Sequence, residues 1–378
     1  MLTTLKKLET LGKPYRIYTD VRSLESDAID QFVQAMQLDC VVKGALMPDA
    51  YSGYTLPIGA VVAVKGMVFP SFVGYDIGCG MCALPTSYDA EEVQRKAKDI
   101  FNGIYRAVPV GFSHNSRPSA WPKADTLPRT KMMQPIFAKN GLLQLSSAGG
   151  GNHFSEIGVD ETGRVWIIVH SGSRGIGHAA ATHYMREASP DGKSREGYFG
   201  FSVDSRNGQD YITDLDFCLE FALENRRQII QRIEAVLSDH CDGSGEWSGL
   251  INRNHNHAEL KDGLWIHRKG ATHAEEGMMG VIPGNMRDGS FIVRGKGNPD
   301  SLWSSSHGAG RVLSRKKAKQ TLSVDSFAET MSGIVARITE ATIDESPFAY
   351  KDIFDVMKQQ SDLVEVVAHV RPILNVKG

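Results

Sequence analysis

The clearest hydrophobic pattern in the chain is helical and lies between residues 215 and 237. Apolar side chains recur there every three or four positions, which places them on one face of a helix. The residues on that face are Leu215, Cys218, Leu219, Ala222, Leu223, Ile229, Ile230, Ile233 and Leu237. We also predict helices over residues 326–339 and 352–370.

Shorter apolar runs predict strands. "AVVAVKG" and the β-branched "RVWIIVH" at 164–170 are typical of buried strands, and "GMMGVIP" and "SFIVRG" predict two more. The order of helices and strands is mixed, which favours an α+β fold over a doubly wound sheet. We therefore expect one large domain over residues 1–378, with central mixed or antiparallel sheets flanked by helices. The polar residues of about 108–135 predict a long, flexible loop or flap.

Composition and charge exclude several classes of protein. The 378 residues are 41% hydrophobic and 23% charged, near the globular average. The formal net charge of −2 gives no overall attraction to nucleic acid or anionic membranes, so any polyanion needs a local site. The N-terminal residues lack the apolar core of a signal peptide, and Lys65 interrupts the most apolar segment. We expect a cytoplasmic protein with no membrane partner.

Chemically active side chains recur in five motifs rich in small residues. These are "YDIGCGM", "GGGNHF", "HSGSRG", "NRNHNH" and "SSSHGAGR". Glycine lets the backbone approach a ligand closely. Each motif alone is more typical of a turn, but five together indicate one shared pocket.

The motifs contain candidate metal ligands. One carboxylate, one thiolate and three imidazoles suit borderline ions such as Mn, Zn or Co; they are Asp76, Cys79, His153, His170 and His255. The cysteine pair Cys79 and Cys82 could belong to a redox motif, a zinc knuckle or a site that uses one cysteine. No second pair has knuckle spacing and no βαβ pattern surrounds the motif, so we predict that Cys82 is a core residue. A bridging Cys79 could hold two cations, the usual apparatus of phosphoryl chemistry.

His307 is the best candidate nucleophile. Small residues flank it, and Arg311 could neutralise a phosphate. The basic run that follows, with Arg311, Arg315, Lys316, Lys317 and Lys319, is either a solvated helix face or a track for a nucleic-acid backbone. P-loop and dinucleotide-binding motifs are absent from the sequence.

The motifs resemble those of the RtcB family of RNA ligases. The resemblance runs in order from about residue 44 to the last residue and includes "GYDIGCGM", "GGGNHF", "HSGSRGIG", "RKGA", "SSSHGAGRV", "ESPFAYKDI" and "VKG". It implies a GTP-dependent ligase that uses two Mn²⁺ ions. Such a ligase joins RNA ends bearing a 2′,3′-cyclic phosphate or 3′-phosphate to 5′-hydroxyl ends, in RNA repair or tRNA splicing. RNA and GTP are the implied partners, and the motifs allow but do not require a protein activator.

The resemblance also implies roles for individual residues. The five candidate ligands would hold the two ions, with Cys79 as the bridge, and His307 would attack the α-phosphate of GTP. Glu156 would hold His307 or contact the nucleotide, and Lys377 would meet the guanine base. The implied GTP contacts are Asn152, His153, Phe154, Glu156, Asn285, Gly308, Ala309, Tyr350 and Lys377. Arg174 and Arg311 would hold RNA phosphates.

Two departures from the family pattern indicate a divergent branch with its own RNA substrate. "MPDAYSGYTLPIG" stands where the family has a segment like "MPDVHLGKG", and Asn285 stands where the family has serine. Two alternatives remain open. The first is a metal-dependent RNA-end phosphodiesterase or cyclic phosphatase that needs no GTP. The second is a non-catalytic RNA-binding protein whose metals are structural.

Overall fold

The computed structural model describes residues 2–10, 12–193 and 197–378, with side chains from residue 6 onward. Within these residues the α-helices are α1 Leu2–Glu9, α2 Ser26–Gln37, α3 Pro70–Val73, α4 Ala90–Arg95, α5 Ala97–Ala107, α6 Met133–Gln144, α7 Arg174–Ala188, α8 Arg206–Ser238, α9 Arg315–Thr321, α10 Val324–Thr330 and α11 Ile353–Gln359. None of the helices in these ranges combines the length and apolar character needed to cross a membrane.

The strands of the described residues form two main sheets and two short pairs. They are β1 Tyr15–Ile17, β2 Val41–Tyr51, β3 Ile58–Val64, β4 Met67–Val68, β5 Gly80–Pro85, β6 Phe154–Val159, β7 Val165–Ser171, β8 Phe201–Ser202, β9 Ile251–Asn254, β10 Asn256–Lys261, β11 Leu264–Lys269, β12 Ala271–His273, β13 Met279–Pro283, β14 Ser290–Gly295, β15 Ser304–Ser306, β16 Val335–Ala336 and β17 Val364–Lys377.

The larger sheet has the order β13-β14-β17-β6-β7-β5-β9, with antiparallel neighbours along this path. The 14-residue strand β17 joins its two halves, and β16 pairs with β17 in parallel. Helix α8 buries Ile229, Ile230 and Ile233 against Ile167 and Val169 of β7. This packing fixes the strand ends that carry the candidate ligands.

The smaller sheet has the order β1-β2-β3-β11-β10. Helix α2 packs on it through a buried face that includes Ile29, Phe32 and Met36. The helix lies so close to β2 that a Cβ at Gly44 would come within 2.5 Å of the Met36 sulfur. Asp49 lies in β2 of this sheet, and His255 lies between β9 of the larger sheet and β10 of the smaller one.

Most of the expected elements are confirmed. Strands occupy 58–64, 165–171, 279–283 and 290–295, and the helix expected over 215–237 is the central part of the 33-residue helix α8. The α+β class is confirmed as well. Between Val108 and Met132 the described chain has one 3-10 turn, Pro122–Asp125, and no α-helix or strand, and α6 begins at Met133.

Two helix predictions are wrong over part of their length. The helix expected over 326–339 ends at Thr330, because Gly333 has a φ of +84° and Val335 pairs with β17. The helix expected over 352–370 ends at Gln359, and residues 364–370 belong to strand β17. Its valine-rich residues 364–370 pair with β14, so β-branched packing in the sheet outweighs the helical spacing.

Candidate metal and nucleotide site

The candidate ligands lie where strands of the larger sheet begin or end. Cys79 precedes β5, His153 precedes β6, and His170 is the second-last residue of β7. His255 separates β9 from β10. Since β6, β7 and β5 are antiparallel neighbours, the start of β6, the end of β7 and the start of β5 meet at one edge of the sheet.

The five candidate ligands form one cluster. The Cys79 sulfur lies 3.3 Å from His153 Nε2 and 3.2 Å from His170 Nε2. His170 Nε2 lies 3.3 Å from His255 Nε2, and His153 Nε2 lies 2.9 Å from Asp76 Oδ2. The structure therefore brings together all five residues that the sequence analysis singled out as metal ligands.

The cluster divides into two sets that share Cys79. The potential ligand atoms of Cys79, His170 and His255 lie within 4.8 Å of one another, and so do those of Asp76, Cys79 and His153. A shared thiolate, imidazole nitrogens and a carboxylate suit borderline divalent ions, manganese among them. The two sets could therefore hold two cations, with Cys79 common to both sets. The structure places Cys82 elsewhere, in the apolar core beside Val169.

The protonation of the cluster is suited to binding cations. Burial holds the pKa values of His170 and His255 well below the usual range, so both imidazoles are neutral. His170 Nδ1 donates to the Asn152 carbonyl at 3.1 Å, which leaves Nε2 free to coordinate. Burial and the neighbouring Asp76 raise the pKa of the Cys79 thiol. Metal binding must therefore displace the thiol proton.

Arg226 of α8 holds the backbone of the cluster. Its fully buried guanidinium donates to the carbonyls of Gly78 and Ser171, at 2.7 and 2.9 Å. It also donates to the side chains of Asn252 and Asn254, both at 2.7 Å. One side chain thus ties the Cys79 turn to the ends of β7 and β9.

His307 lies beside the cluster and is oriented by Asp49. Its ring centroid is 4.9 Å from that of His255. Asp49 Oδ2 lies 2.6 Å from His307 Nδ1 and also accepts the backbone N–H groups of His307 and Gly308. Because Nδ1–H donates to the carboxylate, the lone pair of the imidazole is on Nε2. His307 is thus prepared to act as a nucleophile.

A glycine makes room for His307. Gly270 has a φ of +64°, and a Cβ there would lie 2.4 Å from Ile58 Cγ2 and 3.0 Å from His307 Cε1. Any larger residue would collide with the wall that supports the imidazole.

A cavity of about 530 Å³ opens next to His307 and His170. That volume is in the usual range for small-ligand sites. Apart from the ligand His153, every residue expected to contact GTP lines it: Asn152, Phe154, Glu156, Asn285, Gly308, Ala309, Tyr350 and Lys377.

One part of the cavity wall is organised around Glu345. Its buried carboxylate pairs with Lys377, accepts from Tyr350 OH at 2.6 Å and from Arg315 at 2.7 Å, and lies 3.2 Å from Arg311. Burial alone would raise the pKa of Glu345, but the charges of Lys377 and Arg315 outweigh it and the pKa is lowered. Glu345 is therefore an anion that neutralises a group of cations.

Glu156 and Asn285 have local partners. Glu156 accepts from Ser290 Oγ and Asn375 Nδ2, at 3.2 and 3.0 Å, and burial raises its pKa to about 7. The orienting contact to His307 comes from Asp49 rather than from Glu156. Asn285 donates to Asp288 at 2.7 Å and accepts from two backbone N–H groups of its own turn.

The two arginines expected to hold RNA differ in their surroundings. Arg174, at the start of α7, donates to the Gly111 carbonyl at 3.0 Å and lies close to Asp76. Arg311 turns inward to Glu345, Tyr350 and the Asp344 carbonyl. Arg315 pairs with Asp344 and Glu345 although its side chain is 44% exposed, whereas Lys316 and Lys317 are exposed. The basic run is thus divided between the cavity wall and the surface.

Three residues of the site, Asp49, Glu345 and Arg226, were not predicted from the sequence. Asp49 lies in "MPDAY", within the altered segment, and Glu345 is the first residue of "ESPFAYKDI". Both motifs could have marked these residues. No feature of the sequence marks Arg226 as buried, because an arginine in an amphipathic helix is usually exposed.

The chain matches a family model described as tRNA-splicing ligase RtcB, over residues 31–134 and 121–378. It is 35% identical to the RNA-splicing ligase RtcB of Escherichia coli K12, with 98% of this chain and 99% of the relative covered. It is 30% identical to the tRNA-splicing ligase RtcB of Pyrobaculum aerophilum and 29% identical to the RNA-splicing ligase RtcB of Mycobacterium bovis. These matches cover 97% and 92% of the chain, and 95% and 100% of the relatives. The chain belongs to the RtcB family.

Proposed function

We propose that the protein is an RNA ligase that uses GTP and manganese to join 3′-phosphate or 2′,3′-cyclic phosphate ends to 5′-hydroxyl ends. The substrates are broken RNAs in repair or tRNA splicing, in the cytoplasm, and residues 1–378 act as one catalytic domain. The observation that carries this proposal is the position of His307. No residue in the described part of the chain is hydrogen-bonded to its Nε2, and its ring lies between the metal-ligand cluster and a nucleotide-sized cavity.

The first step is nucleotide attachment. His307 Nε2 forms a bond to the α-phosphorus of GTP, the bond from that phosphorus to the bridging oxygen breaks, and pyrophosphate leaves. Asp49 stabilises the imidazole as positive charge develops on it. Lys377 and Tyr350 line the part of the wall around Glu345 and would contact the guanine. Asn152, Phe154, Glu156, Asn285, Gly308 and Ala309 would complete the nucleotide pocket.

Two transfers follow. An oxygen of the RNA 3′-phosphate attacks the same phosphorus, the N–P bond breaks, and His307 returns to its neutral form. The 5′-hydroxyl oxygen then attacks the RNA phosphorus, loses its proton and displaces GMP. A cyclic phosphate is first hydrolysed to the 3′-phosphate. Arg174 would hold an RNA phosphate beside Asp76, and Arg311, together with Arg315, would position the wall that faces the nucleotide.

The ligand cluster fits a role in each of these displacements. Manganese ions bound by Asp76, Cys79, His153, His170 and His255 would supply neutralisation of phosphate charge and acidification of bound water. The neutral imidazoles of His170 and His255 and the ionised Asp76 already have the protonation that coordination requires. Burial alone would raise the pKa of Asp76, but the hydrogen bond from His153 outweighs it and the pKa is lowered.

The deciding experiment uses α-labelled GTP, manganese and purified protein without RNA. We expect acid-labile label on the wild-type protein and none on His307→Ala, because only the imidazole supplies the attacking nitrogen. His114→Ala is the matched control, since His114 is exposed and hydrogen-bonds only its neighbour Asn115 in the described structure. Label that persists in His307→Ala would reject His307 as the nucleophile. Unlabelled wild-type protein that still hydrolyses RNA ends would favour the phosphodiesterase alternative.

A further inference from the structure

Two exposed aromatic side chains are carried by turns that adjoin the candidate site. Tyr54 is 83% exposed and lines the cavity. Phe112 is 107% exposed and follows Gly111, whose carbonyl accepts the hydrogen bond from Arg174. Single exposed apolar residues are common on protein surfaces, so exposure alone means little. These two rings differ from such residues because the turns that carry them are held by hydrogen bonds.

The turn that carries Tyr54 is fixed on both sides. The Gln31 side chain accepts from the Gly53 N–H at 3.0 Å and donates to the Gly53 carbonyl at 2.7 Å. The Thr55 carbonyl accepts from Tyr198 OH at 2.8 Å. The next residue, Leu56, is fully buried. The ring therefore projects from a rigid support.

The turn that carries Phe112 is tied to the metal-ligand loop. The Gly111 N–H donates to the Gly149 carbonyl at 2.8 Å, and Ser113 closes the turn onto Val110. A Cβ at Gly149 would come within 2.6 Å of His153 Nδ1, so this loop packs directly on a candidate ligand. Within the described ranges, neither Phe112 nor Tyr54 has an aromatic, cationic or hydrogen-bonding partner for its ring.

The net charge of the chain bears on how it would bind RNA. The net charge is −2, and Arg311 and Arg315 are already paired with Glu345. Attraction to phosphates is therefore weaker than in strongly basic RNA-binding proteins. Stacking on aromatic rings binds unpaired bases without regard to sequence, and it needs rings that are exposed and preorganised.

We propose that Tyr54 and Phe112 are stacking platforms for the unpaired bases next to the RNA ends. The ligand is single-stranded RNA, recognised through the faces of its bases rather than through its sequence. This inference rests on the proposed function, because Tyr54 lines the cavity in which the ends would react and the turn of Phe112 is bonded to the loop that precedes His153.

The test measures binding of a single-stranded RNA of about 12 nucleotides with a 3′-phosphate. It carries 2-aminopurine near one end or the other, and GTP is omitted. We expect stacking to quench the fluorescence, and Tyr54→Ala and Phe112→Ala each to raise the Kd at least about fivefold. Tyr54→Phe and Phe112→Tyr keep the ring and should stay within about twofold of wild type. Leu260→Ala is the matched control, since Leu260 is 62% exposed and is not among the residues that line the cavity.

An abasic nucleotide at the stacked position provides an independent check in folded wild-type protein. It should weaken wild-type binding by the same factor as the alanine variant and should weaken that variant no further. Unquenched 2-aminopurine, equal Kd values for wild type and both alanine variants, or equal affinity for duplex RNA would overturn the proposal. RNA binding is measured without GTP, so it does not depend on labelling at His307. If the wild-type protein is never labelled but the alanine variants lose RNA affinity, only the ligase proposal is rejected.

Discussion

Asp49 and His307 are 258 positions apart in the chain, and one carboxylate oxygen joins them. Asp49 Oδ2 lies 2.6 Å from His307 Nδ1 and 3.1 Å from the His307 backbone nitrogen. The carboxylate is fully buried, and Lys351 secures the adjoining backbone by donating to the carbonyls of Pro48 and Ala50. The orientation of the imidazole and its tautomer therefore depend on a segment from the other end of the chain.

Replacement of Asp49 should slow nucleotide attachment. We expect Asp49→Ala to reduce the single-turnover rate of labelling at saturating GTP about 10²- to 10⁴-fold, because the imidazole loses both its orientation and its counter-charge. The labelling rate of Asp49→Asn should lie between those of wild type and Asp49→Ala, since the amide oxygen can still accept a hydrogen bond from Nδ1–H. Asp20→Asn is the control, an exposed carboxylate paired with Arg22. Equal rates for Asp49→Ala and Asp20→Asn would refute the role of Asp49.

The two cysteines of the CxxC motif should behave differently. Cys79→Ala should lose both bound cations after equilibration with manganese and dialysis, because Cys79 belongs to both ligand sets. Cys82→Ala should retain the metal and lose only about 1 kcal/mol of stability, because Cys82 is a packed core residue. Elemental analysis and urea unfolding measure the two effects. Equal metal loss in the two variants would mean that both cysteines are ligands.

Loss of the Glu345 charge should destabilise the fold. Glu345→Gln leaves the buried Lys377 ammonium without its counter-charge, and we expect a loss of about 3 kcal/mol or more in the free energy of unfolding. The double variant Glu345→Gln with Lys377→Met should recover part of that loss. Urea unfolding at pH 7 measures both. A double variant less stable than the single one would show that the charge of Lys377 is needed for another contact.

Glu156 should make stability depend on pH. Burial raises its pKa from 4.5 to about 7, so between these values the unfolded chain releases a proton that the folded protein keeps. Its contribution is fully present below pH 4.5 and is lost as the pH rises to about 7, by roughly 3 kcal/mol in total. Relative to wild type, Glu156→Gln should therefore become more stable across this window. A difference in unfolding free energy that is constant with pH would contradict the raised pKa.

Motif chemistry predicted the ligand cluster better than it predicted its supports. Asp76, Cys79 and His153 stood out because small residues flank reactive side chains in their motifs. The supports depend on contacts between distant parts of the chain. The bonds from Asp49 to His307 and from Lys377 to Glu345 leave no local periodicity in the sequence.

Secondary structure was predictable where one pattern dominated. Helix α8 has an apolar face that repeats from Leu215 to Leu237, and residues 164–170 are too short and too β-branched for a helix. Residues 364–370 fit both the helical and the strand spacing of apolar residues, because valines occupy four of the seven positions. Pairing with β14 decides in favour of the strand, and β14 is seen to be the neighbour only in the assembled sheet.

The position of β17 has a consequence for synthesis of the protein. On the ribosome, β13–β14 and β6–β7–β5–β9 emerge before the strand that lies between them. Until β17 is translated, both halves expose backbone groups that have no partner, and Asn375 and Lys377 have not reached the cavity. The part of the cavity wall that Asn375 and Lys377 supply can therefore be completed only after the last strand has been synthesised and has entered the gap between the two halves.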